Sequence, residues 1–169
     1  VESVDVGLLV LRVVVGVVFA MHGMQKLFGW FGGGGFEGTS KWFASLGFGD
    51  GRTATAMAGG SEVLGGLGLA AGLLTPLAGL AMVGTMTTAA LVNNADNGFW
   101  SASKGWELNL YLMVIPVAVV VSGPGRWSVD HAIGLADLVP VPVAGAAVGA
   151  IVAGLGVAAG WTRWATRTA

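Results

Sequence analysis

The 169-residue chain is 54% hydrophobic and only 10% charged, with a formal net charge of −1 and a mean hydropathy of +0.78. Soluble domains carry roughly 25% charged residues, so this composition places the chain among integral membrane proteins. The charge balance leaves no basic footprint for nucleic acid. The absence of cysteine excludes a disulfide within the chain, a thiol nucleophile and iron–sulfur ligation.

The opening residues, VESVD, are acidic and lack the positive n-region of a secretory signal peptide, so the first apolar run is expected to be retained as a helix. That run, Val6 to Phe28, suffices to cross a ~30 Å hydrocarbon core. From Leu11 onward it sets Arg12, His22, Gln25 and Lys26 among valine, leucine and phenylalanine. At about 100° per residue, Arg12, Phe19, His22 and Lys26 share an arc of roughly 80°, with Gln25 beside it. An ion facing acyl chains costs at least ~2.5 to 3.5 kcal/mol, so this face is expected to point at other protein, which makes the helix part of a bundle.

Gly-rich sequence follows. Within Trp30 to Arg52, the piece Ser40 to Leu46 repeats Trp42, Phe43 and Leu46 at helical spacing and reads either as an interfacial helix or as an exposed loop. The second span, Thr53 to Leu74, carries a stripe of small residues at Ser61, Gly65, Gly68 and Gly72, expected to admit a neighbouring backbone. Glu62 is the only acidic residue in that span. Thr75-Pro76 makes a tight turn, with the proline opening the third span, Leu77 to about Asn94, as an antiparallel partner of the second.

The third span ends in Asn93, Asn94 and Asp96, and the loop Asn97 to Gly105 leads into a fourth, about Trp106 to Val121. Glu107 and Asn109 lie in its first turn, where Glu107 reads equally well as a charge suited to the helix dipole. Ser122-Gly123-Pro124-Gly125 ends that helix, and a longer loop from Arg126 to Pro142 contains Trp127, Ser128, Asp130, His131 and Asp137. The last apolar run, Val143 to Trp161, has GxxxG spacings at Gly145/Gly149 and Gly156/Gly160 and either crosses the membrane or packs as an appendage.

Alternating direction puts the end of span one, the start of two, the end of three and the start of four on one side. At about 1.5 Å per residue, Glu62 lies roughly 12 Å inside its span, level with His22. The candidate polar cluster of that half is His22, Gln25, Lys26, Glu62, Asn93, Asn94, Glu107 and Asn109. At the opposite end Arg12 finds its natural acidic partner in Asp130. With five spans, Lys41, Arg52, Lys104, Arg163 and Arg167 share one side and Arg126 takes the other, so the polar half and the C-terminus are expected to be cytoplasmic. Trp30, Trp42, Trp100, Trp106, Trp161 and Trp164 would form an aromatic belt at that interface.

The expected fold is therefore all-α: an antiparallel four-helix transmembrane bundle over residues 1–134, and an additional C-terminal transmembrane helix with a basic tail over 135–169. No metal site is assigned. Met21, His22 and Met24 are soft-ligand types, but the methionines lie about 60° apart with His22 in neither direction, and methionine within a span usually packs. No internal repeat supports a transporter, and no Ser/His constellation supports nucleophilic catalysis.

The pattern Arg12, Phe19-x-x-His22-Gly23-x-x-Lys26, Glu62 with Gly65-Gly66 and Gly72, Thr75, Gly98-Phe99, Glu107, and Gly123-Pro124-Gly125-Arg126-x-Ser128-x-Asp130 resembles the DoxX family of small bacterial membrane proteins. The resemblance covers about residues 7 to 134 and implies a four-helix membrane bundle, multi-pass in the bacterial plasma membrane. It also implies a link to redox complexes, since relatives include a subunit of thiosulfate:quinone oxidoreductase, and others are associated with superoxide dismutase and a sulfurtransferase.

Two function classes follow. In one, the chain is at most the membrane subunit of an oxidoreductase assembly and holds no cofactor of its own. The polar cluster then binds a quinone headgroup, at a site shared with partner proteins, or a small anion, and His22 or Glu62 exchanges protons. In the other, the chain is a non-catalytic scaffold or assembly subunit whose buried charges fix helix register. Both readings involve the lipid bilayer and protein partners, and both allow a homo-oligomer.

Overall fold

The computed structural model describes residues 2–136, and all regular structure among them is helical. The expected fifth span at 143–161, its basic tail with Arg163 and Arg167, and Asp137, Trp161 and Trp164 lie outside the described residues.

Helix α1 runs Glu2–Phe28, starting before the apolar run itself, with Glu2 and Asp5 in the first turn and Lys26 in the last, as the helix dipole favours. Gly29 in the left-handed region (φ 73°) stops it, and a short 3₁₀ turn, Trp30–Gly32, leads to α2, Gly35–Ser45. Of the two readings of this stretch, the helical one holds. Thr39, Ser40 and Phe43 of α2 are buried, and Ser40 Oγ donates to Thr55 Oγ1 at 3.1 Å, seating α2 against its neighbours α1 and α3. Helix α3 is Arg52–Ala71 and α4 is Thr75–Ala89, with Pro76 in the first turn of α4. The chain continues from α4 through a π turn, Ala90–Asn94, and a 3₁₀ turn, Ala95–Asn97. Helix α5, Glu107–Ser122, contains Pro116, and a short α6, Val129–Ala132, is capped by the Ser128 side chain.

Glycine decides how these helices meet. A Cβ at Gly16 would run into the Gly66 and Ala70 backbone, and one at Gly23 into Gly59 and Val63, so α1 and α3 approach backbone to backbone in opposite directions. The stripe expected on the second span faces α4 instead: Ser61 Oγ and Thr85 Oγ1 are 2.8 Å apart, and Gly65 and Gly68 lie against Ala78. Its last member, Gly72, is the left-handed C-cap of α3 (φ 63°) rather than part of a helix face. Helices α4 and α5 also run oppositely, with Thr87 Oγ1 donating to Met113 Sδ at 3.2 Å at one end and Gly79 against Val120 at the other. Phe19, Leu69, Ala78, Met82, Met86 and Val119 form the buried apolar core.

Polarity is inverted relative to a water-soluble domain. Arg12 (0% exposed) and Glu62 (1%) are enclosed while Val10 (56%), Val14 (57%) and Leu64 (74%) face outward. Outward valine and leucine suit acyl chains, and inward charge avoids them. Among the described residues two helices, Glu2–Phe28 and the continuous Thr75–Asn97, are long and apolar enough to cross a membrane.

The α1–α3 contact is expected to be less tolerant than the α3–α4 contact. Replacing glycine by alanine within a helix gains about 1 kcal/mol of propensity, but a Cβ at Gly66 meets the Ala20 backbone nitrogen at 2.5 Å whereas one at Gly65 meets Ala81 Cβ and the Ala78 carbonyl oxygen at 3.3 Å. Gly66→Ala should therefore lose about 1–3 kcal/mol through overpacking, while Gly65→Ala should be near neutral. Thermal unfolding in detergent reads the difference; equal melting temperatures for the two variants would contradict the assigned close contact.

Candidate functional site

The α1–α3 register brings two of the sequence-predicted residues together directly. Lys26 follows Gly23 by three residues on α1 and Glu62 follows Gly59 by three on the oppositely directed α3, so the glycine crossing sets the two side chains within reach of each other. Lys26 Nζ donates to Glu62 Oε2 at 2.5 Å, with the Glu62 side chain 2% exposed and that of Lys26 25% exposed. A carboxylate so enclosed is tenable because the ammonium neutralises it, and loss of one partner leaves the other charge unpaired. The ammonium keeps two further N–H donors beyond the one engaged by Glu62.

His22 and Gln25 adjoin this pair. His22 Nδ1 lies 3.0 Å from Gln25 Oε1, and Gln25 Nε2 donates to the Phe31 carbonyl at 3.1 Å. His22 is also an electrostatic neighbour of Glu62. Phe31 adopts a left-handed backbone (φ 52°, ψ 33°), which costs a bulky side chain of order 1–3 kcal/mol. On the outer side of Lys26 and Gln25 opens a cleft of about 400 Å³, completed by the Gly32 to Gly34 backbone, Gly38, Thr39 and Trp42. None of these completing residues was recognised as site-forming from the sequence. The four consecutive glycines were the available signal, since they leave the backbone uncovered.

The remaining members of the expected cluster lie elsewhere. Glu107 Oε2 accepts from the Ser101 backbone N–H at 2.9 Å and from Ser101 Oγ at 2.6 Å, so it closes the loop before α5 and does not join Lys26. Asn94 Nδ2 donates to the Lys104 carbonyl at 2.7 Å, and Asn93 offers its carbonyl to Asn97 Nδ2 at 3.3 Å. Asn109 Nδ2 contacts Met86 Sδ at 3.7 Å between α5 and α4. Common depth placed these groups at one level, but depth says nothing about which helices are neighbours.

At the opposite end Arg12 and Asp130 are neighbours without forming the expected ion pair. Among the described residues the ion pairs are Lys26–Glu62 and the exposed Arg52–Glu37. Arg12 Nη2 donates to the Trp127 carbonyl at 2.8 Å, and its guanidinium lies against Gly72. The Asp130 carboxylate accepts the backbone N–H groups of Leu74 (2.7 Å) and Thr75 (2.8 Å), and the Asp130 N–H donates to the Gly72 carbonyl at 2.8 Å. The tight α3–α4 turn frees those two amides, and they lie nearer the carboxylate than the guanidinium does. Asp5, which drew no notice in the sequence, accepts from the Arg126 N–H at 2.9 Å and ties the same loop to α1.

Among the described residues, no group of three or more His, Cys, Asp or Glu is placed to hold a metal ion. The DoxX family model matches residues 7–95, which include most of α1, the whole of α2 to α4, and the whole of the Lys26, Glu62, His22 and Gln25 arrangement. No curated protein and no solved structure matches the chain.

Removing the Glu62 charge should cost far more than removing that of Glu107. Glu62→Gln leaves Lys26 unpaired and should lose about 3 kcal/mol, the lower range for breaking a buried pair, whereas Glu107→Gln should change stability little. The double variant Glu62→Gln, Lys26→Met should recover part of the loss, because neither charge remains. Strictly additive losses in this cycle, measured by unfolding in detergent, would show the two groups to be uncoupled.

Proposed function

The chain belongs to the DoxX family, and from that premise we propose that it is an integral membrane subunit of a redox-linked complex, multi-pass in a bacterial plasma membrane. In this reading α1, α3, α4 and α5 form one antiparallel transmembrane bundle. The cleft beside Lys26 and Glu62 receives the headgroup of a lipid-soluble quinone or a small anion at a site completed by partner proteins. The observation that carries the reading is that Lys26, paired to the buried Glu62, also lines an open cleft. A purely structural pair gains nothing from an adjoining cavity, whereas a binding site requires one.

Size and chemistry agree with this use. A volume of about 400 Å³ falls within the range of small-molecule sites. The free N–H groups of Lys26 and the Gln25 amide supply donors, and Trp42, 40% exposed, supplies a flat apolar wall. The cleft lies where α1 ends, at the level where a headgroup would sit if α1 spans the bilayer. A second reading, a non-catalytic scaffold, is favoured by the opposite end, where Arg12, Asp130 and Asp5 bind a loop to the helices.

Two measurements test the proposal. A photoreactive short-chain quinone should label the segment between Gln25 and Trp42 in the purified protein, and labelling should fall at least about tenfold in the folded Lys26→Met, Glu62→Gln variant. Competition by an inorganic oxyanion but not by unlabelled quinone would assign the cleft to anions. Unchanged labelling in the double variant, together with retained partner proteins, would favour the scaffold. For topology, Lys41→Cys should resist an impermeant thiol reagent added outside intact cells and Arg126→Cys should react; the reverse pattern would overturn the cytoplasmic placement of the cleft.

A further inference from the structure

The hydrogen-bond chain through Gln25 determines more than where His22 sits. The Phe31 carbonyl can only accept, so the Gln25 atom 3.1 Å from it must be the amide nitrogen. The opposite assignment would set two oxygen acceptors face to face. Gln25 Oε1 is then the atom 3.0 Å from His22 Nδ1, and that ring nitrogen must carry the proton it donates. Among the described residues no hydrogen bond engages Nε2, whose lone pair remains available.

We propose that Gln25, which lines the cleft, is a positioning residue that holds His22 in its Nδ1–H tautomer and thereby leaves Nε2 free to accept a proton beside Gln25 and Lys26. The proposal rests on the cleft reading above and gives one residue of that site a defined chemical role. A proton passes from a hydroxyl donor, ligand or water, to Nε2. The donor oxygen keeps the bonding electron pair, and His22 becomes an imidazolium that still donates Nδ1–H to Gln25. The charged groups facing His22 are Lys26, one turn along α1, and Glu62 on α3. These two groups carry opposite charges and are paired with each other. The left-handed Phe31 backbone has a role in this arrangement: it turns a carbonyl back toward α1, where Gln25 meets it. Strain of this kind persists only where surrounding structure enforces it.

The test is spectroscopic and needs no activity. The chain has two histidines, and His131 is exposed, so His131→Gln in the full chain leaves His22 as the only labelled imidazole. Nitrogen resonances of isotope-labelled histidine in detergent, above the pH at which the ring is neutral, should show a protonated Nδ1 and an unprotonated Nε2. Gln25→Leu should shift the tautomer ratio toward Nε2–H by roughly fivefold to tenfold, the worth of one hydrogen bond. Gln25→Glu, which retains an acceptor for Nδ1–H, should restore the wild-type tautomer in part. An Nε2–H tautomer in the parent protein, or a ratio indifferent to Gln25→Leu, would overturn the inference while leaving the cleft reading to its own labelling test. Conversely, a locked tautomer without quinone or anion binding would reject the cleft reading and leave the positioning role of Gln25 standing.

Discussion

The backbone contact between α1 and α3 is the constraint on which the other features depend. Gly16 and Gly23 on one helix, and Gly59 and Gly66 on the other, remove the side chains that would hold the backbones apart. In a lipid environment such close packing, rather than expulsion of apolar surface from water, drives helices together. It also fixes an axial register. With the glycines aligned, Lys26 is carried to Glu62 at one end and Arg12 to the Gly72 cap at the other. A slip of one turn would leave two buried charges without partners, so the packing and the electrostatics specify the same alignment.

The two ends handle buried charge differently. At the Arg12 end, backbone groups meet part of the charge: the Trp127 carbonyl accepts from Arg12 Nη2 and two amides of the α3–α4 turn donate to Asp130, while Arg12 Nε and Nη1 are buried without a hydrogen bond among the described residues. Such contacts engage atoms that the helices leave unpaired at their ends, and they lock the loop before α6 onto α1 and α4. At the Lys26 end the charges meet each other, and a cleft opens beside them. Donors there remain uncommitted, the backbone is bare glycine, and Phe31 is held in a strained conformation.

Much of the architecture was legible from pattern alone. Composition set the membrane class, the apolar runs located α1, α3, α4 and α5 to within a few residues at most ends, and Thr75-Pro76 marked the start of α4. The face shared by Arg12, Phe19, His22 and Lys26 was readable because helical periodicity is a local property, and it points inward at Arg12 and Phe19 as burial cost requires. Counting residues along alternating spans also brought Glu62 near the level of His22 and Lys26.

What only the tertiary structure decided is who stands beside whom. Depth is one coordinate, fixed by counting along a helix; azimuth around the molecule is another, and it depends on which glycines touch. Hence Glu107, at a similar level to Lys26, bonds Ser101, and Asn94 secures a loop. Asp130, the natural partner of Arg12 by charge, is taken by the Leu74 and Thr75 amides, because a turn that forms elsewhere in the chain presents two donors at shorter range. The cleft beside Lys26 was likewise beyond sequence reasoning, since its walls come from α1, the glycine turn and α2, and a cavity exists only once separate segments have packed.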